Sequence, residues 1–266
     1  MAVGWLLFVV WLAWPSIEDY YAVLPDEVEA VDQRIAAEMA TVPADETLVP
    51  EAYYSEAVDI AFNTTLPTTA LPPQELYQQT KAGSVYINTF VLDEFYNFGS
   101  GSVIGENGII LTNYHVVEGA EKIAVTFADE TTYPVTDMIA VDPEKDIAVL
   151  QIDTSDLPAL PLGSSAAVAI GDTTYAVGHP ENLLFTFSEG IVSGIREFTK
   201  TGEGRQFQIT NPISAGSSGG ALINERGELI GLPVASLEYA QNTVQVQNIN
   251  FAVPISSVVE LLQSAE

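Results

Sequence analysis

Residues 84–92 read SVYINTFVL, and residues 108–113 read GIILTN. Both runs are rich in β-branched and aromatic residues, and turn-forming residues separate them from further runs of the same kind. Short, regularly spaced runs bounded by turns indicate an all-β barrel or sandwich. The other runs are KIAVTF (122–127), IAVLQI (147–152), TYAVG (174–178), QFQIT (206–210) and ELIGLPVA (228–235).

Two turns between these runs are readable in detail. Asn107-Gly108 lies between SVIGE and IILTN, and because Asn and Gly both accept a positive φ, the pair predicts a hairpin with a type I′ turn. The tripeptide at 225–227, Glu-Arg-Gly, predicts a second turn. Near the end of the chain, apolar residues at helical spacing after Pro254 predict one short closing helix.

The first 75 residues differ from the rest of the chain. Residues 1–17 carry no charged side chain, which predicts an export signal or a membrane anchor. Residues 18–75 are acidic and interrupted by prolines, and we expect them to form a stalk or a packed extension. Glu27 to Met39 is predicted to be the one helix within that segment.

Composition excludes several classes of protein. The chain has 266 residues with 8 basic and 36 acidic side chains, a formal charge of −28. Such a charge opposes binding to phosphate backbones, so we expect no nucleic-acid partner. The absence of Cys excludes disulfides and cysteine nucleophiles. With two His and no H-E-x-x-H motif, we expect no catalytic metal and no cofactor, although a carboxylate calcium site stays open.

The first chemical signal is GSSGG at residues 216–220. This pentapeptide is also typical of a Ser/Gly-rich turn, and it fits the G-x-S-x-G nucleophile elbow of α/β-hydrolases. In that fold the histidine follows the serine in the chain. Here His115 and His179 both precede Ser218, so the hydrolase interpretation fails on order.

Chymotrypsin-like enzymes use the order His, Asp, Ser. His115 follows an apolar strand in LTNYHVV (111–117), and Asp146 opens the buried-strand pattern DIAVL (146–150). We therefore predict that His115, Asp146 and Ser218 form a catalytic triad. His179 is interpreted as a loop histidine.

These residues resemble the HtrA (Deg) family of trypsin-like serine proteases, with its T-N-x-H-V-V, D-[IL]-A-[VL]-[LI] and G-N-S-G-G-[PA]-L segments. The similarity covers about residue 76 to the end, in family order. It includes FGSGSVI (98–104), VGHP (177–180), GIVS (190–193) and INFAVP (249–254). The chain departs from the pattern at Ser217, where the family has Asn, and at His179 in the G-N-P turn. The family usually carries PDZ domains after the protease, and since these residues include none, we expect no PDZ-dependent gating within this sequence.

The resemblance implies a chymotrypsin-like double β-barrel over residues 76–266, with the boundary between barrels near residue 165. It implies that Ser218 is the nucleophile, His115 the general base and Asp146 the group that orients the histidine. It assigns the oxyanion hole to the backbone N–H groups of Gly216 and Ser218. By the same analogy, substrate would bind along Leu232, Pro233, Val234 and Ser236. Because Pro212 stands where trypsin places its lysine-binding aspartate, no preference for Lys or Arg is expected.

The family analogy further predicts an extracytoplasmic serine endopeptidase that acts on unfolded polypeptides, forms a homotrimer and is attached to a membrane through residues 1–17 if that segment is not cleaved. Two alternatives remain open from the sequence. In the first, the barrel is a non-proteolytic binding module or holdase. In the second, it is an esterase that uses the same residues.

Overall fold

The computed structural model describes residues 26–42, 69–198, 202, 204–234 and 249–264. The helices are α1 (Asp26–Met39), α2 (Pro73–Ala82), α3 (Tyr114–Val117) and α4 (Ile255–Ser264). The first six strands are β1 (Ser84–Val91), β2 (Glu94–Gly105), β3 (Ile109–Thr112), β4 (Lys122–Thr126), β5 (Thr132–Asp142) and β6 (Ile147–Ile152). The next six are β7 (Thr173–Gly178), β8 (Thr186–Phe198), β9 (Gly204–Ile209), β10 (Ala221–Ile223), β11 (Leu229–Val234) and β12 (Asn250–Pro254).

The strands form two closed antiparallel barrels. The order in the first is β1-β2-β3-β6-β5-β4, and the order in the second is β10-β11-β12-β9-β8-β7. Closure pairs every described strand on both sides, which removes the exposed edges that promote aggregation. Helix α4 follows the last strand directly. The expected chymotrypsin-like double barrel with a short C-terminal helix is confirmed.

Alternation along β1 builds two different hydrophobic clusters. Val85 and Ile87 face the interior of the first barrel, whereas Tyr86 and Phe90 face outward. Successive strand residues point to opposite faces, so a strand whose first seven residues are all buried must be covered on its outer side. Helix α1 supplies that cover. A third cluster, from Leu76 to Val258, joins residues of both barrels with α2 and α4.

Helix α1 was expected at residues 27–39, and the structure confirms it with a start at Asp26. Ile35 and Met39 are buried against Tyr86, Phe90 and other outward residues of the first barrel. Residues 26–42 therefore behave as a packed extension. Residues 1–17, the predicted signal or anchor, lie outside the described residues. None of the helices in the described ranges has the length and apolar character needed to span a bilayer.

The hairpin between β2 and β3 is confirmed, but the prediction of its turn type was wrong. A type I′ turn requires positive φ at both central residues. The Gly108 N–H donates to the Gly105 carbonyl over 3.2 Å, which makes residues 106 and 107 the central residues of the turn. Neither has a positive φ, and Gly108, the last residue of the turn, has a φ of 91°. The Glu225-Arg226-Gly227 turn is present, with Gly227 at a φ of 76°.

Candidate active site

His115 lies in α3, a single helical turn that begins two residues after β3 ends. Two side chains hold this turn. Asn113 donates from Nδ2 to the Asp146 carbonyl over 2.8 Å. Asn97 donates from Nδ2 toward the carbonyls of His115 and Val116, at 3.3 and 3.2 Å. The imidazole therefore stands on a fixed backbone at the rim of the first barrel, and its side chain is 38% exposed.

Asp146 binds His115 twice. Its Oδ1 accepts the His115 backbone N–H over 2.9 Å, and its Oδ2 lies 2.7 Å from Nδ1 of the imidazole. The carboxylate thus both fixes the first turn of α3 and holds the proton of the ring on Nδ1, which leaves Nε2 as the acceptor. Asp146 has a φ of 57°, a left-handed conformation that is uncommon outside glycine. The residue lies in the turn directly before β6.

Ser218 lies in a tight turn between two glycines in the left-handed region, Gly216 at 89° and Gly219 at 78°. A Cβ on Gly219 would lie 2.3 Å from Thr112 Oγ1 and 2.4 Å from the Ser100 carbonyl oxygen. A Cβ on Gly216 would lie 2.3 Å from the His179 carbonyl oxygen. Both positions require glycine for conformation and for space.

The same close contacts bring the serine segment to the histidine segment. Ser100 on β2 donates its N–H to the Ser218 carbonyl over 2.9 Å, and Thr112 Oγ1 donates to the Ser100 carbonyl over 2.7 Å. Gly219 packs against Thr112 and Asn113, the residues directly before α3. Ser218, on the second barrel, is thereby held beside the α3 turn of the first barrel.

Hydrogen bonds hold both peptide groups that flank the Gly216 Cα. Its carbonyl accepts the Ser100 hydroxyl over 2.6 Å. The preceding carbonyl, that of Ala215, accepts the Glu181 N–H over 2.8 Å. In a trans peptide the C=O and the N–H point to opposite sides. Holding the Ala215 carbonyl on the Glu181 side therefore directs the Gly216 N–H away from it.

Sequence reasoning assigned no role to Ser100 and treated His179 as a loop residue. The Ser100 hydroxyl also accepts the His179 N–H, at 3.0 Å, so it joins the turn at Gly216 to the loop after β7. His179 is fully buried against Tyr86 and Phe185, with ring centroids 5.2 and 4.6 Å away. Burial lowers its pKa to about 3, so the imidazole is neutral and Nδ1 accepts the Phe185 N–H over 3.1 Å. The G-S-G motif was the only sequence signal for this arrangement.

The first three residues predicted to bind substrate, 232–234, form the end of β11. Leu232 is fully buried in the cluster between the barrels, and Pro233 has no N–H and gives its carbonyl to the Gly219 N–H at 3.1 Å. Val234 is half-buried and ends the described strand, and Ser236 lies outside the described residues. A recess beside Ser217 is lined only by uncharged residues, including Pro212, Ile213 and Ser188. Within the described ranges, no group of His, Asp and Glu is placed to hold a metal ion.

Comparison with known proteins agrees with this geometry. The model of the trypsin-like peptidase domain family matches residues 99–232, a range that contains His115, Asp146 and Ser218. "Protease Do-like 1, chloroplastic" from Arabidopsis thaliana is 34% identical over 210 residues, which are 73% of this chain and 47% of the relative. "Probable periplasmic serine endoprotease DegP-like" from Pseudomonas fluorescens is 30% identical over 262 residues, 93% of this chain and 54% of the relative.

A solved structure titled "HtrA-type protease AlgW with tripeptide" superposes with a TM-score of 0.66 at 31% identity, covering 73% of this chain and 63% of the other. The chain spans about half the length of these two curated relatives. The family match, the relatives and the double barrel lead to one assignment. This chain belongs to the trypsin-like peptidase domain family and is of the HtrA type.

Proposed function

We propose that the protein is a serine endopeptidase in which Ser218, His115 and Asp146 form the catalytic triad. The observation that carries the proposal is the double contact of the Asp146 carboxylate with His115, at 2.9 and 2.7 Å, beside a serine turn that only glycines can form. A serine hydroxyl attacks a carbonyl efficiently only when a base takes its proton. The bond from Asp146 leaves the His115 Nε2 available for that proton.

In the proposed reaction, Ser218 Oγ attacks the carbonyl carbon of the scissile peptide while its proton passes to His115 Nε2. Asp146 stabilises the imidazolium that results. The backbone N–H groups of Gly216 and Ser218 bind the developing oxyanion. His115 then gives the proton to the leaving amine, and water hydrolyses the acyl-enzyme by the reverse sequence of proton transfers.

We propose that the substrates are unfolded polypeptides, bound as a strand along the end of β11. Since Leu232 is buried and the Pro233 carbonyl is occupied, pairing would begin at Val234 and continue toward Ser236. Backbone pairing supplies affinity with little sequence information, which suits a protease of misfolded chains. The uncharged lining beside Ser217 and Pro212 supports small or medium aliphatic side chains at the cleavage site in preference to Lys or Arg.

An extracytoplasmic location is part of the proposal, supported by the periplasmic description of the Pseudomonas relative. The domain division at residues 17 and 75, attachment through residues 1–17, and a homotrimer remain proposals that rest on the sequence. Sedimentation equilibrium tests the trimer, because one chain has a mass of 28.6 kDa and the assembly would have about three times that.

The test is hydrolysis of unfolded β-casein by the full chain at neutral pH, in low and in high salt. High salt screens the repulsion between this acidic protein and an acidic substrate. Wild type should cleave, Ser218→Ala should not, and Ser155→Ala should cleave as wild type does because Ser155 is exposed on the loop after β6, which contacts the β2–β3 turn. A folded wild type that leaves casein intact in both salts would favour the binding-module alternative.

A further inference from the structure

A buried acid lies on the inner face of α1, outside the range that matches the peptidase family. Asp32 is 3% exposed, and it occupies the same helix face as Ile35 and Met39. Residues three and seven positions apart lie on the same face of a helix. The face of a helix that packs against the core is normally apolar. A carboxyl group at this position therefore needs polar partners from the barrel.

Asp32 finds its partners on β1. Its Oδ1 accepts from the Tyr86 hydroxyl at 3.1 Å and from Asn88 Nδ2 at 3.3 Å. Asp32 Oδ2 and Asn88 Oδ1 are buried acceptors for which the described residues provide no donor. A proton on the carboxyl supplies a donor beside these orphaned acceptors. Burial raises the pKa of Asp32 to about 6, in agreement with that requirement.

The Tyr86 hydroxyl links this acid to the loop after β7. Its oxygen lies 3.3 Å from Asn182 Oδ1 as well as 3.1 Å from Asp32. A hydroxyl carries one hydrogen and cannot donate fully to two acceptors at once. An ionised Asp32 draws that hydrogen to itself, whereas a protonated Asp32 is a weaker acceptor that keeps the Tyr86 hydroxyl in place beside Asn182 and shares the hydrogen with it. Loss of the side chain at position 32 removes the group that keeps the hydroxyl there.

The loop that Tyr86 holds is the support of the oxyanion turn. Glu181 and Asn182 have positive φ values of 49° and 57°, a conformation that side-chain-bearing residues adopt only when surrounding contacts impose it. The Glu181 N–H fixes the Ala215 carbonyl and hence the direction of the Gly216 N–H. Release of Asn182 removes one of the contacts that impose this shape.

We propose that Asp32 is a positioning residue that, through Tyr86 and Asn182, holds the Glu181 to Ala215 hydrogen bond and so aims the Gly216 N–H at the oxyanion. This proposal rests on the proposed function for its catalytic consequence. The positioning is strongest when the carboxyl is protonated, and it weakens as the pH rises through the titration of Asp32.

The other ionisable groups around Asp32 have partners of their own. Arg34 donates to the Glu130 carbonyl and lies near the carboxylates of Glu130 and Glu38. Lys122 on β4 donates to the Met39 carbonyl and pairs with Asp93. His179, against the Tyr86 ring, stays neutral above about pH 3. Within the described residues, none of these cations pairs with Asp32.

The test compares the full-length wild type with Asp32→Asn, Asp32→Ala and Tyr86→Phe, with Glu38→Gln as a control acid on the exposed face of α1. The first readout is amide hydrogen exchange at Glu181, measured at matched pH in folded proteins, and it needs no activity. We expect exchange about 10-fold faster in Asp32→Ala and Tyr86→Phe, and wild-type exchange in Glu38→Gln.

Asn at position 32 keeps the acceptor and adds a donor, as a protonated carboxyl does. Exchange at Glu181 should therefore be equal in wild type and Asp32→Asn at pH 5, and slower in Asp32→Asn at pH 7.5. The second readout is kcat on a peptide substrate, which should fall about 10-fold in Asp32→Ala with KM unchanged. The ratio of kcat for Asp32→Asn to kcat for wild type should rise between the same two pH values.

Equal exchange at Glu181 in wild type, Asp32→Ala and Tyr86→Phe would overturn the positioning role whatever the activity. If Ser218→Ala retained hydrolysis, the proposed triad would fail, while the exchange data would still decide the role of Asp32. Exchange that differs among the variants by the same factor at both pH values would overturn the dependence on protonation.

Discussion

Replacement of Gly216 by Ala tests the proposed oxyanion hole by adding a single carbon atom to its turn. The added Cβ would lie 2.3 Å from the His179 carbonyl oxygen and 2.5 Å from Cε2 of Phe98. The carbonyl belongs to backbone and cannot rotate away, so the turn must retreat by about 1 Å to reach ordinary contact distance. A misplacement of about 1 Å typically costs about 10²-fold in rate, and loss of one oxyanion donor costs about 10²–10³-fold. We expect kcat to fall by that factor.

A matched control separates this steric effect from the backbone cost. Gly171 also has a positive φ, of 100°, yet a Cβ there would have no atom within 4 Å. Gly171→Ala should lower the free energy of unfolding by about 1–2 kcal/mol through its left-handed conformation and leave kcat unchanged. The assay is kcat and KM on a peptide substrate, with urea unfolding of each variant. A Gly216→Ala variant whose kcat stays within about threefold of wild type would show that the Gly216 N–H does not bind the oxyanion.

Three further predictions follow from the described contacts. Asp146→Asn should keep the fold and lower kcat by about 10⁴-fold, because an amide stabilises the wrong tautomer of His115, and a rate near wild type would contradict this role. Asp32 has its pKa raised from 3.8 to about 6, so the folded protein binds the extra proton and loses about 3 kcal/mol of stability as the pH rises from about 4 through 6. The free energy of unfolding of Asp32→Asn, measured with urea, should therefore rise relative to that of wild type by about 2–3 kcal/mol between pH 4 and pH 7. A difference that stays constant with pH would contradict the raised pKa of Asp32. Glu228 is 3% exposed and accepts from Asn224 Nδ2 and from Arg226, whose side chain is 43% exposed. Glu228→Ala removes the acceptor of Asn224 while water solvates Arg226, so the unfolding free energy should fall by about 1–2 kcal/mol, and an unchanged value in the same assay would show the pair to be dispensable.

The strands were predictable because strand-forming residues and the turn residues that bound them are adjacent in the sequence. Short runs of β-branched and aromatic residues between turn signals mark β1, β3 and β6 in the sequence itself. Apolar residues at helical spacing mark α4, and a stretch between prolines marks α1. The type of the β2–β3 turn was not predictable in the same way, because the preference of Asn-Gly for a type I′ turn is only statistical. Gly108 alone takes the positive φ, and a Cβ there would lie 2.2 Å from the Ile152 carbonyl oxygen on a neighbouring strand.

The triad candidates were predictable from their flanking motifs, but the residues that support them were not. His179 sits 79 positions from Ser100, and Asp32 sits 54 positions from Tyr86. Nothing in the local sequence around Asp32 distinguishes it from the many other acids of residues 18–75. Asp32 is buried only because α1 packs against the outer face of β1, and this packing is a property of the tertiary structure.

Labelling by a fluorophosphonate, with the modified residue located by peptide mass spectrometry, tests directly whether Ser218 is an activated nucleophile. We expect one adduct, on Ser218, that is absent in Ser218→Ala and forms far more slowly in Asp146→Asn. An adduct on another serine, or no adduct on a folded wild-type chain, would contradict it.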